Sequence, residues 1–300
     1  MRNRTLTLAI CTASTLAIGG CRRAPPEAPE AFSDAIRSLF RDFEASEQVV
    51  RDHLLAVEEV VYLGMDIEAE SSADRALAPE RLSESDLAGL NEIPDRNIAD
   101  AVPIALGGYS PHDVALHPMK EMLVDHTAVE PYSPNHYLRE FLEGESCWAD
   151  GSCERLETFN DVTKENLLMT LDYTFFKNFR WIDLSEDDTP RMAVIARSWD
   201  PESYEGRNGN SWIHQSYTIE VWIPRDGRGF IREGSDTNVD DGTWTTDSVG
   251  GGTLRLLSLW SETEFQGLNV TDDQVAATAR TGINRNFQAA DEWISEQVAR

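Results

Sequence analysis

An apolar stripe at helical spacing constrains the fold more than any other feature of this chain. Val275, Ala279, Ile283, Phe287, Ala290, Ile294 and Val298 recur along one side of the segment that follows Thr271. Thr271 with Gln274 reads as a capping box, Asp272 and Asp273 stand at the positive end of the helix dipole, and Val270 can staple onto Val275. A helix of this length must lay its stripe on something. Gly282 interrupts it, at a cost of about 1 kcal/mol relative to Ala, so a close approach of sheet or ligand is expected there.

The covering surface is predicted upstream, where the chain alternates like strands from Asn166 onward. Leu167, Met169, Leu171, Tyr173 and Phe175 share one face, and Phe179 and Trp181 follow in the next run. Met192–Trp199 reads as another strand, and Tyr217, Ile219, Val221 and Ile223 line one side of a further one that enters a turn at Pro224–Gly227. In Thr253–Trp260, Leu254, Leu256 and Trp260 point one way and Leu257 and Leu259 the other, so both faces of the sheet should be covered. Arg180, Arg197, Glu220 and Arg255 stand among these apolar residues; cross-strand pairing is the default reading, and orientation of a ligand is the alternative.

The order of elements, carried by MAVIARSW, SYTIEVWIP, TLRLLSLWSETEFQGL and the final helix, resembles the helix-grip fold of START and polyketide-cyclase-like (SRPBCC) domains over Pro131–Arg300. The resemblance implies an α+β domain in which a curved antiparallel sheet packs on a long C-terminal helix around a cavity for a lipid or other apolar small molecule. Leu167, Met169, Leu171, Tyr173, Phe175, Tyr217, Ile219 and Gly282 are the lining expected from it. The same faces could instead close on a solid core, leaving an interaction or structural protein without a ligand cavity.

Residues 32–130 are expected to be helical and loop-rich, ahead of the α+β domain at 131–300. Ile36, Leu39, Phe40, Phe43, Val50, Leu54, Val57, Val60 and Val61 predict one long amphipathic helix over Phe32–Gly64, packed on its own domain or offered to a partner. Residues 66–135 carry Pro79, Pro94, Pro103 and Pro111 and predict loops and short helices. His112, His117, His126 and His136, with Asp113 and Asp125, match no zinc spacing. The run Asp236-Thr-Asn238-Val-Asp240-Asp241-Gly242 resembles the front of a calcium loop, but its glycine falls one place late and Asp247 stands where a bidentate Glu is needed, so a solvated acidic loop is expected. No metal, cofactor or catalytic residue is assigned, because no hydrolase elbow, P-loop, dinucleotide fingerprint or zinc-protease helix occurs.

Residues 1–20 read as a secretion signal: Arg2 and Arg4, then an uncharged run over Thr5–Ile18 too short to span a bilayer comfortably. Ile18-Gly19-Gly20-Cys21 resembles a lipobox, which implies cleavage before Cys21 and acylation of that cysteine. Residues 21–31, which include RRAPPEAPE, then form a Pro-rich linker. Arg22 stands where the family's inner-membrane retention signal has Asp, so the outer membrane of the cell envelope is the expected location. Loss of residues 1–20 removes two arginines and no acid, taking the formal charge from -27 to -29, which argues against nucleic acid as a partner. Cys147 and Cys153 are the cysteines left for an oxidising compartment and should be joined, for roughly 2.4 kcal/mol from closure of a short loop. Intact-mass analysis of envelope-extracted wild type and Cys21→Ala should differ by the mass of the lipid; equal, unlipidated products would contradict the signal assignment.

Overall fold

The computed structural model describes residues 32–64, 66, 69–77, 79–148, 151–165, 169–185, 191–225, 252–268 and 270–299; Cys21, Leu167 and the Asp236–Asp247 loop lie outside them. Helices α1 (Phe32–Arg41) and α2 (Glu47–Gly64) come first. Strands β1 (Ala76–Leu77) and β2 (Val102–Ser110), helix α3 (Leu116–Glu121), and strands β3 (Tyr137–Glu143), β4 (Arg155–Glu165), β5 (Thr170–Asp183) and β6 (Met192–Trp199) follow. Strands β7 (Tyr204–Glu205), β8 (Ser211–Pro224) and β9 (Thr253–Phe265) lead to the closing helix α4 (Asp272–Val298). The strands pair antiparallel in one nine-stranded sheet, ordered β1-β2-β9-β8-β6-β5-β4-β3 with β7 on β8. The expected α+β class, a curved antiparallel sheet on a long C-terminal helix, is what forms. Among the described residues no helix is long and apolar enough to cross a membrane.

Strand alternation divides the sheet into two faces, each with its own cover. On one face Tyr217, Ile219, Val221 and Ile223 of β8, Leu254, Leu256 and Trp260 of β9, and Ala193, Ile195 and Trp199 of β6 join Ile36, Leu39, Phe40, Phe43, Val50, Leu54, Val57 and Val61 in one core. Full burial of each large side chain contributes about 1.5–3 kcal/mol. The segment before β2 completes this face by accepting from its tryptophans: Trp260 Nε1 donates to Glu80 O at 2.7 Å and Trp199 Nε1 to Asn91 O at 2.9 Å.

The predicted single helix over Phe32–Gly64 is two helices, and sheet arginines explain the break. Where α1 ends, Arg180 Nη1 donates to Phe43 O and Ala45 O at 2.5 and 3.0 Å, and Arg197 Nη2 reaches Glu44 Oε1 at 2.8 Å. Carbonyls that a continuous helix would bond internally are satisfied from the sheet instead. The loops expected over 66–135 contain strand β2, which pairs with β9 from Val102 to Ser110. Residues on both sides of position 130 therefore share one sheet and one core.

The other face receives α4. Ile104 and Leu106 of β2, with Leu257 and Leu259 of β9, pack on Val275, Ala276, Ala279, Ile283 and Phe287. The capping box at Thr271 and Gln274 forms, and the stripe is partly buried at Val275 and Ala279 and buried at Ile283, Phe287, Ala290 and Ile294, while Val298 is exposed. Gly108 provides the close approach: a Cβ there would lie 3.0 Å from Arg75 Nη1 and 3.2 Å from the Phe287 ring. Arg255, rooted in β9, locks the helix down. Its Nη1 donates to Phe287 O at 3.0 Å and Asp291 Oδ1 at 2.9 Å, its Nη2 to Asp291 Oδ2 at 2.6 Å, and its guanidinium lies 4.2 Å from the Phe287 ring centroid. Removing one partner of a buried ion pair costs about 3–5 kcal/mol. Arg255→Met should therefore lower the free energy of urea unfolding by about 3 kcal/mol, and Arg255→Lys, which keeps the charge without the fork, by clearly less.

Candidate functional site

The α4 face beyond the helix itself carries buried polar chemistry, arranged in three zones. The first is apolar. Val114, Leu156, Phe179, Trp181, Val194, Ala196 and Trp222 cluster around Trp148, which is fully buried against Phe179 and Trp181 at ring separations of 5.9 and 5.3 Å. The expected Cys147–Cys153 disulfide is present, with Cα atoms 5.3 Å apart, and closes the loop that presents this tryptophan.

The second zone is charged and sits at the middle of the sheet. Lys177 Nζ donates to Glu220 Oε1 at 2.6 Å, between the rings of Phe179 and Trp222. Arg139 of β3 donates from Nε to Asn160 Oδ1 at 2.8 Å and from Nη1 to Glu121 O and Oε2 at 2.6 and 2.8 Å, while Lys120 Nζ lies 2.8 Å from Glu121 Oε1. Helix α3 and the residues after it thus cross the sheet and close over it. Burial pushes the Glu121 carboxyl up, yet the charges of Lys120, Lys177 and Arg139 prevail and hold it well below the usual range. His126 stacks on Tyr137 at 4.8 Å; burial, then the Arg139 charge, lowers it to about 2, so it stays neutral. His117 is likewise depressed by burial.

The third zone is part apolar and part open. Met169, Leu171 and Ile213 are buried, and Tyr173, Tyr204 and Phe265 pack partly against them. Phe175 stacks on Tyr173 at 5.7 Å and meets Tyr137 edge-on at 6.1 Å, and both Tyr173 and Phe175 keep a minor part of their surface open, although the Tyr173 hydroxyl lies deep enough for burial to raise it well above its ordinary value. Asp200 follows β6 in the alternation of Val194, Ala196 and Ser198, is 3 % exposed, and has an Oδ2 atom without a hydrogen-bond partner among the described residues. Its N–H donates to Ser216 O at 3.1 Å, so the strand's pairing with β8 carries through it. Burial raises the Asp200 carboxyl well above the usual range, opposed by Lys164. Lys164 and Glu130 each keep part of their surface open, but protein surrounds their charged ends: burial lowers the Lys164 amine against the pull of Glu130 and Asp200, and raises the Glu130 carboxyl. Helix α4 borders the zone through Asn286, whose Nδ2 donates to Glu130 Oε2 at 2.8 Å, and through Gly282.

Of the lining expected from sequence, the structure brings Met169, Leu171, Tyr173 and Phe175 together. Tyr217 and Ile219 belong to the opposite face, where Tyr217 meets Phe40 at 6.2 Å. A Cβ at Gly282 would make an ordinary 3.5 Å contact with the Tyr132 ring, so the glycine faces the segment after α3 and not the sheet. Among the charged strand residues, Arg180, Arg197 and Arg255 hold helices, and Glu220 alone joins the polar interior. The histidines do not gather into one cluster: His112 Nε2 lies 3.0 Å from Asp291 O, His136 lies 3.2 Å from Asp161, His117 is buried within reach of the His112 charge, and His126 is buried against Tyr137. Among the described residues no group of three or more His, Cys, Asp or Glu could hold a metal ion. Sequence reasoning missed Glu130, Lys164 and Asp200.

No family model matches the chain, and no curated protein matches it. Solved structures similar to it include TTHA0849 from Thermus thermophilus, at 12% identity and a TM-score of 0.35 over 65% of this chain and 98% of that one. A conserved protein from Geobacillus kaustophilus follows at 11% identity and 0.33, over 65% and 95%, and Ara h 8.0201 at 12% and 0.29, over 65% and 99%. Likenesses of this depth say nothing about what the chain binds.

The Asp200 environment has a measurable signature. An aspartate in the unfolded chain ionises near pH ~4, whereas the folded group holds its proton to higher pH, so this side chain lowers stability as pH rises out of the ordinary aspartate range. In the ligand-free protein Asp200→Asn should raise the thermal midpoint at neutral pH, and the gain should disappear below about pH 4.

Proposed function

We propose that this protein is a binding module that takes a small molecule with an apolar body between the sheet and the start of the segment covering it, beside α4, and that Cys21 tethers the module to the envelope. One observation carries the reading: Tyr173 and Phe175 keep open surface on a covered face, next to an acid that is buried without a partner. Partly open aromatic surface beside an unsatisfied buried carboxyl is what a guest with an apolar body and a polar end would complete. Met169, Leu171, Ile213 and Phe265 supply apolar walls, and Asp200, Lys164 and Glu130 supply the few polar groups that orient a guest.

The alternative, an interaction or structural protein without a ligand cavity, would have to use its acidic body and not its N-terminal helix. Ile36, Leu39, Phe40, Val50, Leu54 and Val61 are each 0 % exposed in the core under α1 and α2, so the stripe that would meet a partner is already used. Native mass spectrometry of the mature chain, residues 21–300 with Cys21→Ser, after gentle extraction should show a co-purifying small molecule or uptake of a fluorescent fatty-chain probe. Gly282→Leu, which projects a side chain toward Tyr132, should weaken probe uptake several-fold while Gly282→Ala leaves it near wild type. Absence of both ligand and uptake in a folded protein would remove the binding reading.

A further inference from the structure

We infer that the guest's polar end is neutral and hydrogen-bond-donating, a hydroxyl seated on Asp200 between Tyr173 and the Lys164 amine. The inference rests on the binding reading above and names the ligand class for the same site.

Three observations lead there. The first is the unpartnered Asp200 Oδ2, on a side chain 3 % exposed, which the strand alternation directs to the same side as Tyr173. An acceptor buried in this way loses its hydration without compensation until something donates to it. The second is pairing. Lys177 with Glu220, and Lys120 and Arg139 with Glu121, already satisfy one another, and His117 and His126 stay neutral. A charged guest would find no free counter-charge among those pairs and would itself have to be desolvated, whereas a neutral one would not. The third is spacing. Lys164 senses the charges of Glu130 and Asp200, yet among the described residues no ion pair within 4.0 Å joins it to either. A group that fills such a gap must accept on one side and donate on the other, and a hydroxyl does both. Binding would then give Asp200 Oδ2 a donor and the Lys164 amine an acceptor, and would favour the ionised carboxylate over the protonated form that burial alone favours.

The test compares four probes with one chain length: dodecanol, its methyl ether, dodecylamine and dodecanoate, each competed against a fluorescent fatty-chain probe on the mature chain with Cys21→Ser. The alcohol should bind about tenfold or more tightly than the ether, which cannot donate and leaves Asp200 unpaired. It should also surpass the amine and the carboxylate. Asp200→Leu should erase the difference between alcohol and ether by strengthening the ether and weakening the alcohol, and Asp200→Asn, close in shape, should shrink it while keeping the fold by circular dichroism. Preference for the amine or the carboxylate, or equal binding of alcohol and ether by the wild type, would overturn the inference while leaving the binding module intact. Failure of every probe to compete would instead count against the binding module itself.

Discussion

Three arginines rooted in the sheet hold the helices on it. Arg180 and Arg197 reach through the α1/α2 face to the carbonyls and carboxylate at the end of α1, and Arg255 reaches through the other face to Asp291 and the Phe287 carbonyl of α4. Each is almost fully buried, so each guanidinium depends on its helix partner for the hydrogen bonds that water would otherwise provide. Burial lowers the Arg197 guanidinium to about 10 even with Glu44 beside it. The helices are thereby placed by charge-assisted forks with defined geometry, where apolar stripes alone would allow sliding. With α1 and α2 fixed on one side and α4 at the β2/β9 edge of the other, the middle of the α4 face is left to α3 and the segment after it.

That asymmetry gives the two sides of one sheet different interiors. The α1/α2 face is a solid apolar core, closed by Trp199 and Trp260 bonding to backbone carbonyls. The α4 face passes from an aromatic cluster around Trp148 through the Lys177–Glu220 and Arg139–Glu121 pairs to the partly open aromatics near Asp200. Buried ion pairs contribute little net stability relative to apolar packing, so the Lys177–Glu220 and Arg139–Glu121 pairs are poorly explained by folding alone. Polar groups placed to orient a guest, as proposed, would explain them.

Much of the fold was legible because alternation and capping act locally. Met192–Trp199 reads as a strand and is β6; Leu254, Leu256 and Trp260 separate from Leu257 and Leu259 as their two covers require; Thr271 and Gln274 cap α4. Strand β2 was hidden by Pro103, Gly107 and Gly108, residues that signal a turn, although Gly108 is there to let Phe287 approach. Strands β3 and β4 were hidden for a different reason: they turn Arg139, Thr158 and Asn160 inward, inverting the usual apolar-in pattern because the interior they line is polar. The proposed site was half legible. Alternation groups Met169, Leu171, Tyr173 and Phe175, but cannot say which face of a neighbouring strand they share, and so Tyr217 and Ile219 were assigned to the wrong side. Glu130, Lys164 and Asp200 gave no signal in a chain with 53 acids, since their importance comes from burial that only the assembled sheet creates.

The proposed division of the sheet into a structural face and a binding face is tested most directly by methyl NMR of the mature chain during titration with dodecanol. Shifts should concentrate at Met169, Leu171, Ile213 and Ile283, with Ile36, Leu39, Ile219 and Val221 unmoved. Shifts centred on the second set, or no shifts at saturating alcohol, would contradict it.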